Sequence, residues 1–279
     1  GGQGDDVYVI AKGGDQKQIV DVDGSAGNRD VVIFQNLRSQ DITAVERHSN
    51  HLLLKISGGG QLSVENYFLS AAFRIEAFQF SNNVSWTDKQ LRDRVVVGGA
   101  TTGNDTLGGY NDMANRVKGL DGNDLLYGGA LNDALTGGNG NDTLQGGAGD
   151  DILDGGAGHD VLHGGQGRDR LIAGTGSDIL NGGEGSDTYV IARSGALKTI
   201  IDFDPNLMNK DSVRFSNLRS TDLSSVRRQG AHLELTFSTR DQLVITNHFV
   251  SPGYEIEVFG FSNGVTLTAA DVLALIPPP

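Results

Sequence analysis

A large apolar residue returns every nine positions along the middle of the chain, at Leu126, Leu135, Leu144, Leu153, Leu162, Leu171, Leu180 and Tyr189. The intervals are polar and glycine-rich. An aspartate stands two places before each apolar residue: Asp124, Asp133, Asp142, Asp151, Asp160, Asp169, Asp178 and Asp187. From Gly119 to Val190 the run divides into eight units of nine without a slip, beginning GLDGNDLLY and ending GGEGSDTYV. Two residue types held in phase over eight periods define a repeat architecture.

Counting slots one to nine within a unit, the aspartate is slot six and the large apolar residue slot eight. Two units make eighteen residues, which suits one turn of a flattened parallel β-helix with two short strands and two tight loops. The slot-eight side chains are then predicted to point inward and stack, with slot-seven residues such as Ile152, Val161 and Ile179 adding to the core. Glycines in slots one, two and four are expected to supply backbone with φ > 0. Aspartates eighteen apart should lie above one another at about 4.8 Å. One edge carries Asp124, Asp142, Asp160 and Asp178, and the other Asp133, Asp151, Asp169 and Asp187.

Outside the repeats the apolar period changes to two. Leu233, Leu235 and Phe237 alternate with polar neighbours, as do Leu243 and Ile245, the pattern of strands with one buried face. In the first segment strands are predicted at Val7–Ile10, Asp30–Phe34, His51–Ile56, Gln61–Asn66 and Phe73–Phe80. Thr268 should cap a short helix through Leu275, before the prolines at 277–279, and Thr87 its counterpart ending near Arg94. The two segments are copies. GGQGDDVYVI at the start answers GGEGSDTYVI at Gly182–Ile191, and the match continues ungapped at an offset of 181 with nearly half the positions identical. Asp21 and Asp23 thereby answer Asp202 and Asp204.

The organisation read from this is a last repeat of a preceding block (1–9), a β-rich flanking module (10–97), the repeat block (98–190) and a second flanking module (191–279). The chain is expected to be a piece of a longer protein. Residues 98–118 form a ragged lead-in: Asp105 lies 19 rather than 18 residues before Asp124, and Asn115 stands where an aspartate should fall. An atypical first turn suits the end of a solenoid.

Charge sharpens the picture. The net charge is −13, and residues 98–190 hold 14 acids against 4 bases, while the segments before and after hold 12 against 10 and 9 against 8. The acidity belongs to the repeats and argues against a nucleic-acid partner. Cysteine is absent, which removes disulfides, thiolate metal sites and thiol nucleophiles. No apolar run approaches a membrane span. Neither G-x-S-x-G nor H-E-x-x-H occurs, and the Gly-x-Gly phrases lack the GK[ST] ending of a phosphate loop, so the chain is read as non-catalytic. Trp86 and Tyr67 are read as core, and His232 and His248 as surface.

A ladder of carboxylates at strand spacing repels itself unless cations lie between the rungs. Loop carbonyls complete an all-oxygen shell, which suits Ca²⁺ better than Mg²⁺ with its strict octahedron. His159 and His163 sit in slots five and nine as loop residues rather than a ligand cluster, which speaks against zinc. Each large side chain buried contributes about 2 kcal/mol, against about 1–2 kcal/mol for every residue ordered. One such side chain per nine residues does not hold the repeats folded alone. Ion binding is therefore expected to drive folding.

The unit G-G-x-G-x-D-x-U-x is the calcium-binding repeat of RTX proteins, and the chain resembles the repeats-in-toxin family of bacterial type I secretion substrates. The phrases DSVRFSNLRSTDL, QLVITNHF and FSNGVTLTAADV are similar to the haemolysin-type calcium-binding related module. The resemblance implies an all-β fold: a right-handed parallel β-roll, a calcium-binding solenoid, flanked by two paralogous, mainly antiparallel β capping modules, each with a short terminal helix. It implies ions between loops eighteen residues apart, pairing Asp124 with Asp142, Asp142 with Asp160, Asp160 with Asp178, Asp133 with Asp151, Asp151 with Asp169, and Asp169 with Asp187. The implied carbonyl ligands are Gly122, Gly129, Gly138, Gly140, Gly147, Gly149, Gly156, Gly158, Gly165, Gly167, Gly174, Gly176, Gly183 and Gly185. Asp105 joins at the ragged start, and Asp6, Asp202 and Asp204 form end sites, for about six to eight Ca²⁺ ions. Leu120, Leu131 and Ala173 replace glycines of slots two, four and one, and Leu131 is expected to strain the backbone.

The family also implies a purpose. The chain would stay unfolded in calcium-poor cytosol, engage the type I secretion machinery transiently, and fold as a monomer outside the cell or on its surface, with the flanks closing the open ends of the roll. The leading expectation is a folding and export module of a haemolysin- or cytolysin-like toxin or an adhesin, whose parent meets a host-cell receptor or surface. The alternative is an accessory C-terminal domain of a secreted protease, lipase or polysaccharide-modifying enzyme, with catalysis elsewhere.

Overall fold

The computed structural model describes residues 1–21, 28–69 and 74–278. It comprises two compact, almost wholly β units, Gly1–Gly99 and Ala100–Pro279. In the second unit the repeats wind two parallel sheets. One stacks Thr106–Gly108, Leu125–Gly129, Thr143–Ala148, Val161–Gln166 and Asp178–Glu184; the other stacks Arg116–Asp121, Ala134–Asn139, Ile152–Ala157, Arg170–Ile172 and Thr188–Ile191. The register advances by eighteen residues, so Leu126, Leu144, Leu162 and Leu180 form one buried column and Leu135, Leu153, Leu171 and Tyr189 the facing one. At the entry Thr106 pairs with Leu125, an advance of 19, and the ragged lead-in absorbs the extra residue.

Strand alternation decides what each slot does. Slots six, eight and one turn inward: Asp142, Leu144 and Gly146 are buried in sequence, with Thr143 and Gln145 turned out. Slot seven consequently faces solvent. Ile152 is 47% and Ile179 40% exposed, so the core contribution expected of them is not made.

The second flank prolongs both sheets. Leu197–Ile200 and then Gln242–Ile245 add in parallel to one, and Ser212–Phe215 and then Val258–Gly260 add in parallel to the other. This extends the apolar columns as Leu180–Ile200–Ile245 and Tyr189–Val213–Phe259. Beyond that seam the expected antiparallel hairpins appear, Gln242–Ile245 with His232–Phe237 and Leu223–Gln229, and Val258–Gly260 with Thr266–Thr268. In this flank the parallel pairs are those that continue the columns.

Within the first unit the same topology recurs, with one added strand, Val96–Val97, parallel to Ile42–His48. Val7–Ile10, Val31–Phe34 and Ala77–Gln79 pair in parallel and Ser85–Thr87 closes antiparallel. Gln16–Ile19 pairs in parallel with Gly60–Val64, which leads into the hairpins of His51–Ile56 and Ile42–His48. Of the strand expected at Phe73–Phe80, Ala77–Gln79 forms; Phe73 and Asp23 lie outside the described residues. Thr87 and Thr268 cap the helices Asp88–Arg92 and Ala269–Leu273, each accepting the N–H three residues on. Tyr67 is fully buried as expected, but His248, its counterpart at the 181 offset, is only 2% exposed. The surface reading of that histidine is corrected because it fills a core position.

Candidate metal centres

The loops between strands bring the slot-six carboxylates back under the strand ends. Each Oδ1 accepts the backbone N–H of the slot-six residue one turn earlier: Asp142 from Asp124 at 2.8 Å, Asp160 from Asp142 at 2.9 Å, and Asp178 from Asp160 at 2.9 Å. On the other edge Asp151 accepts from Asp133 at 2.7 Å, Asp169 from Asp151 at 2.8 Å, and Asp187 from Asp169 at 2.8 Å. The six predicted pairs are thus the rungs of two ladders. All eight aspartates are at most 3% exposed, and in seven of them Oδ2 is buried with no hydrogen-bond partner. A buried carboxylate oxygen left so is costly. Burial first, and neighbouring carboxylates after it, outweigh the lowering by the rung hydrogen bond and hold Asp151 and Asp187 at about 7 and Asp160 and Asp169 at about 6.

The glycines serve two purposes. Positive φ is confined to slots two and four, as at Gly138 (125°) and Gly140 (127°), and slot one does not adopt it, contrary to expectation. Slot one needs glycine for space: a Cβ on Gly137 would lie 2.2 Å from Asp142 Oδ2 and 2.5 Å from Gly155 O. The strain expected at Leu131 falls instead on Leu120, whose φ is 85°, whereas Leu131 has no positive φ.

One rung differs from the rest. Lys198, the register partner of Asp178, directs its ammonium onto Gly174 O at 3.0 Å, onto Gly176 O, and onto Asp178 Oδ2. These acceptors are slots two, four and six of one repeat, the donor set assigned to cations. Asp178 is accordingly the one slot-six aspartate whose Oδ2 is paired. The oxygen set fits a hard cation, since a cationic group already sits in it. At the entry, Asn115 directs Nδ2 to Met113 O at 3.0 Å and Asp133 Oδ1 at 2.9 Å, so an amide donor stands where the first aspartate is missing.

At the far end of the other edge the ladder does not stop. Asp211 Oδ1 accepts from Asp187 N at 2.8 Å, and Glu257 Oε2 accepts from Asp211 N at 2.7 Å. Asp187, Asp202 and Asp211 bring ligand oxygens within 4.8 Å of one another, all three buried. Asp211 is pushed up to about 9 by burial and then by the charge of Asp202. The predicted end residue Asp202 belongs to this triad. Asp204 does not: it accepts from Gly185 N at 2.9 Å, Asn206 N at 2.7 Å and Asn209 Nδ2 at 2.6 Å. Asp6 lies in the equivalent triad of the first unit, Asp6, Asp21 and Asp30. Asp105, half-buried, is tied to Thr101 N at 2.6 Å and donates its own N–H to Asp124 Oδ1 at 2.8 Å. Asp211, Glu257 and Lys198 were missed by the periodicity. The duplication marks all three, because Asp30, Glu76 and Lys17 stand at the same offset.

A parallel β-roll edged by buried carboxylate ladders defines a class of cation-binding repeat module. Residues 109–135, 127–162 and 154–189 match the RTX calcium-binding nonapeptide repeat (4 copies), and residues 51–90 and 232–271 match the haemolysin-type calcium binding protein related domain. The chain thus carries RTX calcium-binding nonapeptide repeats together with two copies of the related domain. It is 34% identical over 117 residues to the iron-regulated protein FrpA of Neisseria meningitidis serogroup C, covering 40% of this chain and 10% of that protein. The chain therefore matches about a tenth of that relative's length. The extracellular lipase LipA from Serratia marcescens aligns over 86% of this chain and 36% of its own, at 17% identity and a TM-score of 0.23.

Proposed function

We propose that the chain is a non-catalytic, calcium-driven folding module of a larger secreted toxin or adhesin, exported unfolded by a type I machinery and folding outside the cell. The observation that carries this reading is the row of seven buried, unpartnered Oδ2 atoms. At neutral pH such a row does not stay buried and ionised without counter-charge. Bound Ca²⁺ supplies two positive charges and accepts oxygens alone. The slot-six carboxylates would hold it with the slot-two and slot-four carbonyls, and the Asp187–Asp202–Asp211 and Asp6–Asp21–Asp30 triads would serve as end sites. The carboxylates' own part is to cap the preceding rung through Oδ1 while Oδ2 faces the ion. Low cytosolic calcium keeps the acidic repeats unfolded and competent for passage; extracellular calcium closes the roll onto columns that the flank extends.

The test is far-UV circular dichroism during a calcium titration at neutral pH, with magnesium as control. Calcium should induce the β signal of the roll and magnesium should not. A roll that stays folded in EDTA sinks the reading. Trp86 packs on Phe80 at 4.6 Å between ring centroids, so its fluorescence follows the first unit separately.

A further inference from the structure

We infer that Lys198 is a tethered cation: its ammonium occupies the last cation position on the Asp124–Asp178 edge, so that this position takes no calcium and closes without it. The inference rests on the calcium reading above and assigns one of its sites to the protein itself. An ammonium has three hydrogens and no acceptor. Here it meets three acceptors, Gly174 O, Gly176 O and Asp178 Oδ2. Both side chains of the pair are at most 1% exposed. A buried lysine is retained only where its charge and every proton are matched, and this repeat matches them with the atoms its neighbours leave for an ion.

The comparison within the molecule is what separates this from an ordinary buried ion pair. Eight repeats present the same carboxylate in the same setting, seven leave Oδ2 unpartnered, and the exception is the one that Lys198 reaches. The same repeat carries Ala173 in slot one, where the other seven have glycine. Lys198 also arrives at the place the next rung would occupy, as the register partner of Asp178, on the first strand that the flank adds. The first copy keeps lysine there, Lys17, although the flanking residues Gln16 and Gln18 differ from Leu197 and Thr199. The flank thereby brings to the roll the charge that this edge lacks, and docking of its first strand does not wait for metal.

The experiment uses the full chain in saturating calcium. Bound calcium is counted by native mass spectrometry for the unaltered protein, Lys198→Ala and Lys198→Met. Each variant should bind one more ion than the unaltered chain, because the vacated oxygens form a site like those of the other rungs. An unchanged count in a folded variant overturns the inference and reduces Lys198 to a structural ion pair. Acetylation of lysines, mapped by peptide mass, gives a second measurement that needs no variant. Lys198 should stay protected in calcium while exposed Lys89 reacts. A reactive Lys198 at saturation means calcium expels it, which also overturns the inference. Loss of calcium dependence altogether would instead sink the parent reading, so the two failures are distinguishable.

Discussion

The two edges of the roll carry the same repeat and end in opposite ways. On the Asp124–Asp178 edge the last rung meets Lys198, a positive charge supplied by the flank. On the Asp133–Asp187 edge the ladder runs on through Asp211 to Glu257, and Asp202 adds a further carboxylate beside them. The first ending neutralises itself. The second gathers carboxylates in a buried place, and on the proposed calcium reading an external cation would close it. The lesson is that a periodic sequence does not determine its own termination: one flank, docked on both sheets, ends one edge in an ammonium and the other in carboxylates.

The largest expected effect comes from attacking the second ending. Asp211→Ala removes a triad carboxylate and the acceptor of Asp187 N. Hydrogen bonds to charged groups are worth about 1.5–3 kcal/mol, and about 1.4 kcal/mol corresponds to tenfold in affinity. The calcium midpoint of folding should therefore rise about tenfold or more, read by circular dichroism. An unchanged midpoint would mean that this edge ends without an ion site.

Acid offers a gentler substitute for calcium. The carboxylates of Asp151, Asp160, Asp169 and Asp187 are raised from 3.8 to about 6 or 7. A raised carboxyl pKa favours the fold when protonated, so the stabilisation is fully present below the ordinary value and is lost as pH rises through 6 to 7. In EDTA, lowering the pH from about 8 to about 5 should recover part of the β signal. In calcium the sign reverses, because protons compete for the same oxygens and the midpoint rises on acidification. Hydrogen exchange should show the EDTA rescue mainly at the N–H groups of Asp133, Asp151 and Asp169, on the edge with most of the raised groups. Rescue confined to the Lys198 edge would contradict the comparison.

Much of this was legible from the nine-residue period. Register, the stacked leucines and both ladders follow once eighteen residues make a turn, because a repeat of constant length leaves no freedom in which rungs meet. The period says nothing of spacings that break it. Asp187 meets Asp211 24 residues on, and Asp211 meets Glu257 46 residues on, through loops of unequal length. Lys198 stands 20 residues beyond Asp178. Only sheet continuation brings these together, although their duplication at Asp30, Glu76 and Lys17 was visible. Slot seven was misplaced for a simpler reason: with slots six and eight both inward, alternation leaves it no place but outside.

The smallest effect tests the edges one residue at a time, at the two leucines that replace loop glycines. Leu120 belongs to the Asp124 loop and holds φ at 85°, whereas Leu131 belongs to the Asp133 loop and has no positive φ. Both are substantially exposed, at 47% and 42%, so little burial is lost on truncation. A left-handed non-glycine residue costs about 1–2 kcal/mol, and Leu120→Gly should recover most of that and lower the calcium midpoint a few-fold. Leu131→Gly has no strain to relieve and adds freedom to the unfolded chain, a loss of about 0.5–1 kcal/mol, so its midpoint should rise slightly. Opposite signs from the same substitution, measured in parallel calcium titrations, would locate the backbone strain on the edge that Lys198 closes. Equal signs would mean that the two loops share one conformation and that the difference between the edges is confined to their ends.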